Sequence, residues 1–279
     1  MGGIALTCEL TAIGMMTHMK GYGADLAYVH DAGFSDYCRK AAPGILRLLK
    51  RDGICNGLVI DLGCGSGRWA RALNQAGYEV LGIDQSPAFV RMARRIAPQS
   101  RFVKASLLRA SLPACHAVTS IGECLNYSFD RRASRAELAR LFARIHRALL
   151  PGGVFIFDVA GPRRIPEGGP RRQWHQGKEW VMLVETTGDP KRKTLRRKIA
   201  CLRKRGRLYR RSDEIHRLNL YEQSEILEML THAGFRVRRL TGYGRFGLPQ
   251  GITAFLATKG REGSWVRPHQ ASRQVIGCG

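Results

Sequence analysis

Three side chains in this sequence could move a proton or orient a polar substrate, and they occupy two separate segments. Glu123 and Tyr127 follow residues 114–121, which we interpret as a strand. His216 lies two residues after Glu214, so a strand would place both on one face. Glu123 could hold an amine or take a proton, and an imidazole can accept one near neutral pH. Glu123 could instead be a solvated loop carboxylate, and His216 could be a buried ring bonded to Glu214.

A glycine-rich turn is the second chemical signal. Residues 58–62 form an apolar run, Gly63-Cys-Gly-Ser-Gly67 follows it, and a helical pattern begins at Arg68. Glycines allow positive φ and let the backbone approach a ligand closely, while the first helical turn offers free N–H groups. Asp84 ends the next apolar run about 20 residues further on. At that spacing a carboxylate meets a ribose diol in nucleotide-binding α/β folds.

Two cofactor classes fit such a turn: dinucleotides and S-adenosyl-L-methionine (SAM). The dinucleotide fingerprint G-x-G-x-x-G requires glycine at position 68, which is occupied by Arg68. The run Asp61-x-Gly-x-Gly-x-Gly67 instead resembles motif I of the class I SAM-dependent methyltransferases. A glycine turn with a purely structural role is the alternative that involves no cofactor.

This resemblance implies a SAM site, with S-adenosyl-L-homocysteine as the product. Asp61 would help to hold the amino end of the methionine moiety, and Asp84 would accept from both ribose hydroxyls. Ser106 stands where many members carry an acid that bonds the adenine amino group, and residues 122–127 resemble motif IV beside the transferring methyl. The predicted cofactor contacts are Asp61, Gly63, Cys64, Gly65, Gly67, Asp84, Gln85, Ser106, Leu107, Ile121, Gly122 and, from an N-terminal cap, Tyr28. The predicted catalytic residues are Glu123, Tyr127 and His216, and no metal site is predicted.

The elements that would position these residues follow the order β-α-β-α-β-β-α-β, then an insertion, then α-β-β. This order matches that family's fold: an α/β, doubly wound, seven-stranded Rossmann-like sheet whose seventh strand is antiparallel, here with an inserted antiparallel β meander. We predict a flexible extension over 1–20 and cap helices with the SAM-binding core over 21–160. An inserted lid or substrate region covers 161–220, the core is completed over 221–259, and 260–279 form a disordered tail.

Composition narrows the class of protein further. The 279 residues carry a formal net charge of +24, which is compatible with polyanion binding. The same charge can also reflect a genomic base composition that favours arginine codons. No apolar stretch approaches the ~18 residues of a membrane span. The eight cysteines show no C-x-x-C spacing, so neither a zinc site nor a disulfide framework is indicated. We therefore expect a cytoplasmic monomer or homodimer with no membrane partner.

The predicted function is SAM-dependent transfer of a methyl group to N or O of a small-molecule acceptor by in-line displacement. The sequence lacks the [DN]-P-P-[YF] motif of exocyclic amine methylation and the Pro-Cys nucleophile of cytosine C5 chemistry. Two alternatives stay open: a methyltransferase of RNA or another nucleic acid that uses the basic insertion, and a SAM-binding interaction protein without catalysis.

The insertion bears on the choice between a small molecule and a nucleic acid. Between 163 and 217 eighteen Lys/Arg stand against six Asp/Glu. Three strand-like runs, 179–187, 194–203 and 207–220, would send adjacent basic residues to opposite faces and so build no continuous positive surface. The apolar positions predicted to pack on the domain are Trp180, Met182, Val184, Ile199, Cys201, Leu208 and Ile215. We expect this meander to cover the crevice opposite SAM and to leave a pocket of ~300–1,000 Å³.

Overall fold

The computed structural model describes residues 21–261, so the predicted extension 1–20 and most of the predicted tail lie outside the described residues. The helices are α1 (Ala24–Phe34), α2 (Asp36–Arg51), α3 (Arg68–Gln75), α4 (Pro87–Ile96), α5 (Arg135–Ala148) and α6 (Gln223–His232). The first nine strands are β1 (Gly57–Leu62), β2 (Tyr78–Asp84), β3 (Arg101–Lys104), β4 (Cys115–Ser120), β5 (Leu149–Ala160), β6 (Arg171–Gly177), β7 (Trp180–Asp189), β8 (Thr194–Arg205) and β9 (Leu208–Asn219). The last four are β10 (Arg236–Leu240), β11 (Gly242–Tyr243), β12 (Phe246–Gly247) and β13 (Ile252–Thr258).

The central sheet has seven strands in the order β10-β13-β5-β4-β1-β2-β3. Neighbouring strands from β5 to β3 run parallel, whereas β13 runs antiparallel to both β5 and β10. The order reverses at β1 and β4, and ligands of open α/β sheets bind in the crevice at such a switch point. The doubly wound sheet with an antiparallel seventh strand, predicted from the sequence, is confirmed.

Helices cover both faces of this sheet, so its central strands carry buried apolar side chains on both sides. On one face Phe142 of α5 and Leu230 of α6 pack against Phe155 and Phe157 of β5. On the other face α2, α3 and α4 supply buried residues to a second cluster, among them Ile45. The carboxyl ends of the parallel strands are thereby held rigidly at one edge.

The insertion forms a separate antiparallel sheet in the order β6-β7-β8-β9. It has four strands, so the prediction of three was incomplete. The missing strand, β6, is the exposed edge strand and carries almost no buried side chain, which left no apolar alternation to detect. Trp180, Met182, Ile199 and Cys201 are buried as predicted and pack against α1.

Two apolar residues of the meander that were predicted to pack on the domain, Leu208 and Ile215, are not on its buried face. The Leu208 side chain is 75% exposed, because it starts β9 directly after the turn from β8. Ile215 alternates with the buried Glu214 and His216, so the inward face of β9 is the one that carries these polar residues.

Helix α1 is tied to the meander through one buried carboxylate. Asp25 accepts from Arg210 at 2.6 Å and lies 3.4 Å from both Arg203 and Arg205. The hydrogen bond from Arg210 is the main cause that holds the pKa of Asp25 below its usual range. Within residues 21–261 no helix is both long and apolar enough to cross a membrane.

Candidate functional site

The glycine turn after β1 needs glycine for two different physical reasons. Gly63, Gly65 and Gly67 all have positive φ, at 78°, 52° and 84°. A Cβ on Gly63 would lie 2.6 Å from the Cys124 sulfur, whereas one on Gly67 would lie 2.8 Å from the Cα of Ala93 in α4. Gly67 therefore allows α3 and α4 to approach each other.

A cavity of about 460 Å³ opens between the carboxyl ends of the strands, helix α1 and the inner face of the meander. Its volume falls within the predicted range. Ten of the twelve predicted cofactor contacts line it: Asp61, Gly63, Cys64, Gly65, Asp84, Gln85, Ser106, Leu107, Ile121 and Gly122. The three predicted catalytic residues, Glu123, Tyr127 and His216, line the same cavity. Gly67 and Tyr28 do not.

Tyr28 points to a different side of α1. Its hydroxyl donates to Glu179 at 3.3 Å, and the Arg203 guanidinium lies 3.6 Å over its ring. The residues of α1 that face the cavity include Leu26 and His30, one helical turn apart. Tyr28 is midway between them in sequence and so lies on another face of the helix, outside the cavity that ten of the predicted contacts line.

Two buried carboxylates flank the glycine turn. Asp84 accepts from the backbone N–H of Gly65 at 2.9 Å and of Ser86 at 2.8 Å. Asp61 accepts from the Thr119 hydroxyl at 2.9 Å. Burial raises the pKa of Asp84 to about 6 and that of Asp61 to about 7, and the charge of Asp84 contributes to the latter. A cation or a group with several N–H or O–H donors would favour the charged form of both carboxylates.

Ser106 is paired with an acid that the sequence did not single out. Its hydroxyl donates to Asp130 at 2.7 Å, and Arg109 lies 3.0 Å from the same carboxylate. Asp130 lines the cavity, although it lies 24 residues after Ser106 in a loop beyond β4. The loop offers no periodicity from which this pairing could have been found.

The turn after β4 is held in place by a buried carboxylate. Glu123 has φ of 62°, a left-handed conformation that is rare for residues other than glycine. The N–H groups of Gly122 and Glu123 donate to Asp158 at 3.0 Å and 2.7 Å. The hydroxyls of Tyr37 and Tyr243 donate to the same carboxylate. Burial raises the pKa of Asp158 to about 6. Only the tertiary structure reveals that Asp158 holds the turn after β4.

The Glu123 side chain is engaged by arginine. Its carboxylate lies 3.2 Å from Arg197 and 3.6 Å from Arg164. Two guanidinium groups thus contact the carboxylate for which the sequence predicted a catalytic role. Arg197 also donates to the Tyr127 hydroxyl at 3.2 Å, which in turn lies 3.0 Å from the hydroxyl of Tyr22. Burial raises the pKa of Tyr127, so this phenol is neutral.

His216 is bonded to Glu214, as the structural alternative proposed. Its Nε2 lies 2.8 Å from Glu214, whose other oxygen accepts from the backbone N–H of Gly23 at 2.9 Å. The rings of Tyr22 and Phe129 pack against the imidazole, with centroids 4.7 Å and 4.9 Å away. Nδ1 is buried and has no hydrogen-bond partner among residues 21–261. One ring nitrogen is thus positioned by a carboxylate and the other is left without a partner.

Comparison with known proteins gives consistent results. A family model described as a methyltransferase domain matches residues 59–153. YqeM of Bacillus subtilis, named as a candidate methyltransferase, is 25% identical over 191 residues, which cover 66% of this chain and 76% of YqeM.

Two solved structures share the fold. A SAM-dependent methyltransferase from Clostridium acetobutylicum superposes with a TM-score of 0.73 at 19% identity, over 84% of this chain and 97% of that one. The sugar N-methyltransferase KedS8 from Streptoalloteichus superposes with a TM-score of 0.72 at 19% identity, over 90% of this chain and 99% of that one. The chain thus carries a methyltransferase domain over residues 59–153, and its fold is that of the SAM-dependent methyltransferases.

Proposed function

We propose that this enzyme transfers the methyl group of SAM to a nitrogen or oxygen of a small molecule held in the cavity under the meander. The observation that carries the proposal is that the glycine turn and the inner face of the meander line one and the same cavity of about 460 Å³. Donor and acceptor could therefore meet there without solvent between them. A small acceptor also agrees with the description of KedS8 as a sugar N-methyltransferase.

The residues around the glycine turn fit SAM. Each oxygen of Asp84 accepts one backbone N–H and has lone pairs left for a ribose hydroxyl. Asp61 would face the amino group of the methionine moiety, since a cation offsets the cost of burying this carboxylate. Ser106, Leu107 and Asp130 would surround the adenine. When bound, SAM supplies a methyl group on a sulfonium that is already a good leaving group.

The protein's part in the reaction is alignment, exclusion of water and removal of a proton where the acceptor carries one. Tyr22 and Tyr127 would wall the acceptor side of the cavity. His216 would take the proton on Nδ1, because its other nitrogen is held by Glu214. Since Nδ1 is buried among the rings of Tyr22, Tyr127 and Phe129, this transfer requires one of these side chains to move aside.

If His216 is the base, His216→Asn is expected to lower kcat by about 10²- to 10⁴-fold, the usual contribution of general-base catalysis. Glu214→Gln preserves shape and should move the pH dependence of kcat, because it changes the charge beside the imidazole. Steady-state kinetics between pH 5 and 9 provides the measurement. His232→Asn, at an exposed position of α6, is the matched control. If His216→Asn loses kcat but Glu214→Gln keeps the pH dependence of kcat of the wild type, both residues have a structural role.

The ion pairs of the insertion favour a small molecule over a nucleic acid. Arg203, Arg205 and Arg210 surround Asp25. On the opposite face Arg172 and Lys198 both contact Glu185. Five basic residues of the insertion are thus engaged by two carboxylates on opposite faces of its sheet, so they do not form one uninterrupted basic groove.

The test is to offer methyl-labelled SAM and the protein separately to the metabolite, RNA and protein fractions of a cell extract. Label in the metabolite fraction is the expected result. Saturable incorporation into RNA that persists at ~200 mM salt would replace the proposal by a nucleic-acid methyltransferase. Binding of SAM without incorporation into any fraction would indicate an interaction protein that has lost catalysis.

A further inference from the structure

The inner face of the meander carries a row of residues that crosses the acceptor side of the cavity. Strand pairing places Arg171 opposite Thr186, Thr186 opposite Arg197 and Arg197 opposite His216. Residues paired in this way share one face of the sheet, and all four line the cavity. Because neighbouring strands are about 4.8 Å apart, the Cα atoms of the two arginines are about 10 Å apart, with the threonine between them. We call these four residues the cross-strand row.

The charges on this side of the cavity do not balance. Arg164, Arg171 and Arg197 line it, whereas the carboxylate that contacts Arg164 and Arg197 is the single one of Glu123. With Glu214, which is bonded to His216, three guanidinium groups stand against two carboxylates and leave one positive charge. The other arginine of the cavity wall, Arg68, is already paired with Asp31 at 2.6 Å.

The three arginines have unused hydrogen-bond donors. Within the described part of the chain, the Arg171 side chain has neither an ion pair nor a hydrogen bond, and it is exposed at the cavity. Arg197 donates through its two terminal nitrogens to Tyr127 and Glu123, which leaves Nε–H. Nε of Arg164 is buried without a partner. A buried donor such as Nε of Arg164 is costly unless a ligand satisfies it, whereas the donors of Arg171 face the cavity and are free to bind one.

We infer that the methyl acceptor carries an oxyanion, a carboxylate or a phosphate, that binds to Arg171 and Arg197 on the cross-strand row, with Arg164 beside them. The inference rests on the proposed function, because it concerns the acceptor of that same reaction. Guanidinium groups match the geometry of carboxylate and phosphate oxygens, and charge-assisted bonds of this type are the strong ones. The oxyanion would sit at the meander end of the cavity, so that the reacting N or O lies toward the glycine turn.

The test uses two neighbouring arginines of β6 that face opposite sides of the sheet. Arg171 lines the cavity, whereas Arg172 points outward and pairs with Glu185 at 2.9 Å. Arg171→Gln and Arg172→Gln therefore remove the same charge from the same strand, which controls for general attraction of anions by a chain of net charge +24. The full chain, saturated with S-adenosyl-L-homocysteine, is titrated calorimetrically with inorganic phosphate and, separately, with succinate.

We expect saturable binding of one of the two probes at one site, and the probe that binds distinguishes phosphate from carboxylate. Arg171→Gln should weaken this binding about tenfold or more, the equivalent of one hydrogen bond to a charged group. Arg172→Gln should bind within about twofold of the wild type, and the SAM affinity of both variants should be unchanged. No saturable binding to the wild type, equal binding by the two variants, or an equal loss of SAM affinity in Arg171→Gln would overturn the inference.

A second arm follows the acceptor itself. The metabolite fraction is passed over an anion-exchange resin, and the bound and unbound material are each offered to the protein with labelled SAM. Label in the bound material supports the inference, and label confined to the unbound material overturns it. Absence of label from both contradicts the proposed function instead, and the phosphate and succinate titrations then decide whether the anion site exists.

Discussion

Replacing Asp84 by alanine is expected to weaken SAM binding by about 10- to 150-fold. The carboxylate would accept from both ribose hydroxyls, and hydrogen bonds to charged groups are worth ~1.5–3 kcal/mol. It also accepts from the backbone N–H of Gly65 and of Ser86, so its loss leaves the glycine turn and the start of α4 without an acceptor. Loss of the ribose hydrogen bonds and loss of this backbone acceptor both lower the affinity for SAM, because a less ordered turn must be reordered when SAM binds.

Calorimetric titration with SAM measures this effect, and circular dichroism shows whether the variant is folded. Asp36→Ala is the control: this residue is exposed, pairs with Arg39 on α2 and does not line the cavity. A folded Asp84→Ala variant whose SAM affinity matches that of the control would remove the assignment of Asp84 to the ribose.

Gly44→Ala is expected to destabilise the protein by about 2 kcal/mol. Gly44 lies inside α2 where β11 crosses it, and a Cβ there would overlap the carbonyl group of Tyr243 and lie 2.8 Å from the nitrogen of Gly244. Overpacking against backbone costs about 3 kcal/mol at the upper end of its usual range. The better helix propensity of alanine returns about 1 kcal/mol.

The consequence should extend to the candidate site. Tyr37 of α2 and Tyr243 of β11 both donate to Asp158, which holds the backbone of the turn at Gly122 and Glu123. Separation of α2 from β11 would therefore loosen that turn.

Thermal unfolding and turnover should be measured together. For a chain of this size, 2 kcal/mol corresponds to a fall in Tm of roughly 4–8 °C. Gly247→Ala in β12 is the matched control, because its Cβ would meet no atom within 4 Å and its φ is not positive. Equal Tm values for the two variants would show that α2 and β11 are less tightly packed than described.

The sequence was sufficient to predict the central sheet and the residues that line the cavity at the glycine turn. Both follow from local signals: apolar strands, glycines at positive φ and an acid at the end of the next strand. Asp61, Gly65 and Asp84 come together because the carboxyl ends of adjacent parallel strands meet at one edge of a sheet. Such residues can be placed from chain order alone.

The arrangement of the opposite side of the cavity, under the meander, was decided by the tertiary structure. Glu123 could be read as a base until the fold brought Arg197 to it, 74 residues further along the chain. Asp130 reaches Ser106, and Asp158 reaches the turn after β4, over separations that carry no periodicity. Antiparallel pairing across the meander aligns Arg171 with Arg197 only once the exposed strand β6 has docked. Local patterns determine which elements form, but charge pairing across such distances depends on how those elements pack. The chemistry of the meander side of the cavity is therefore a property of the packed structure.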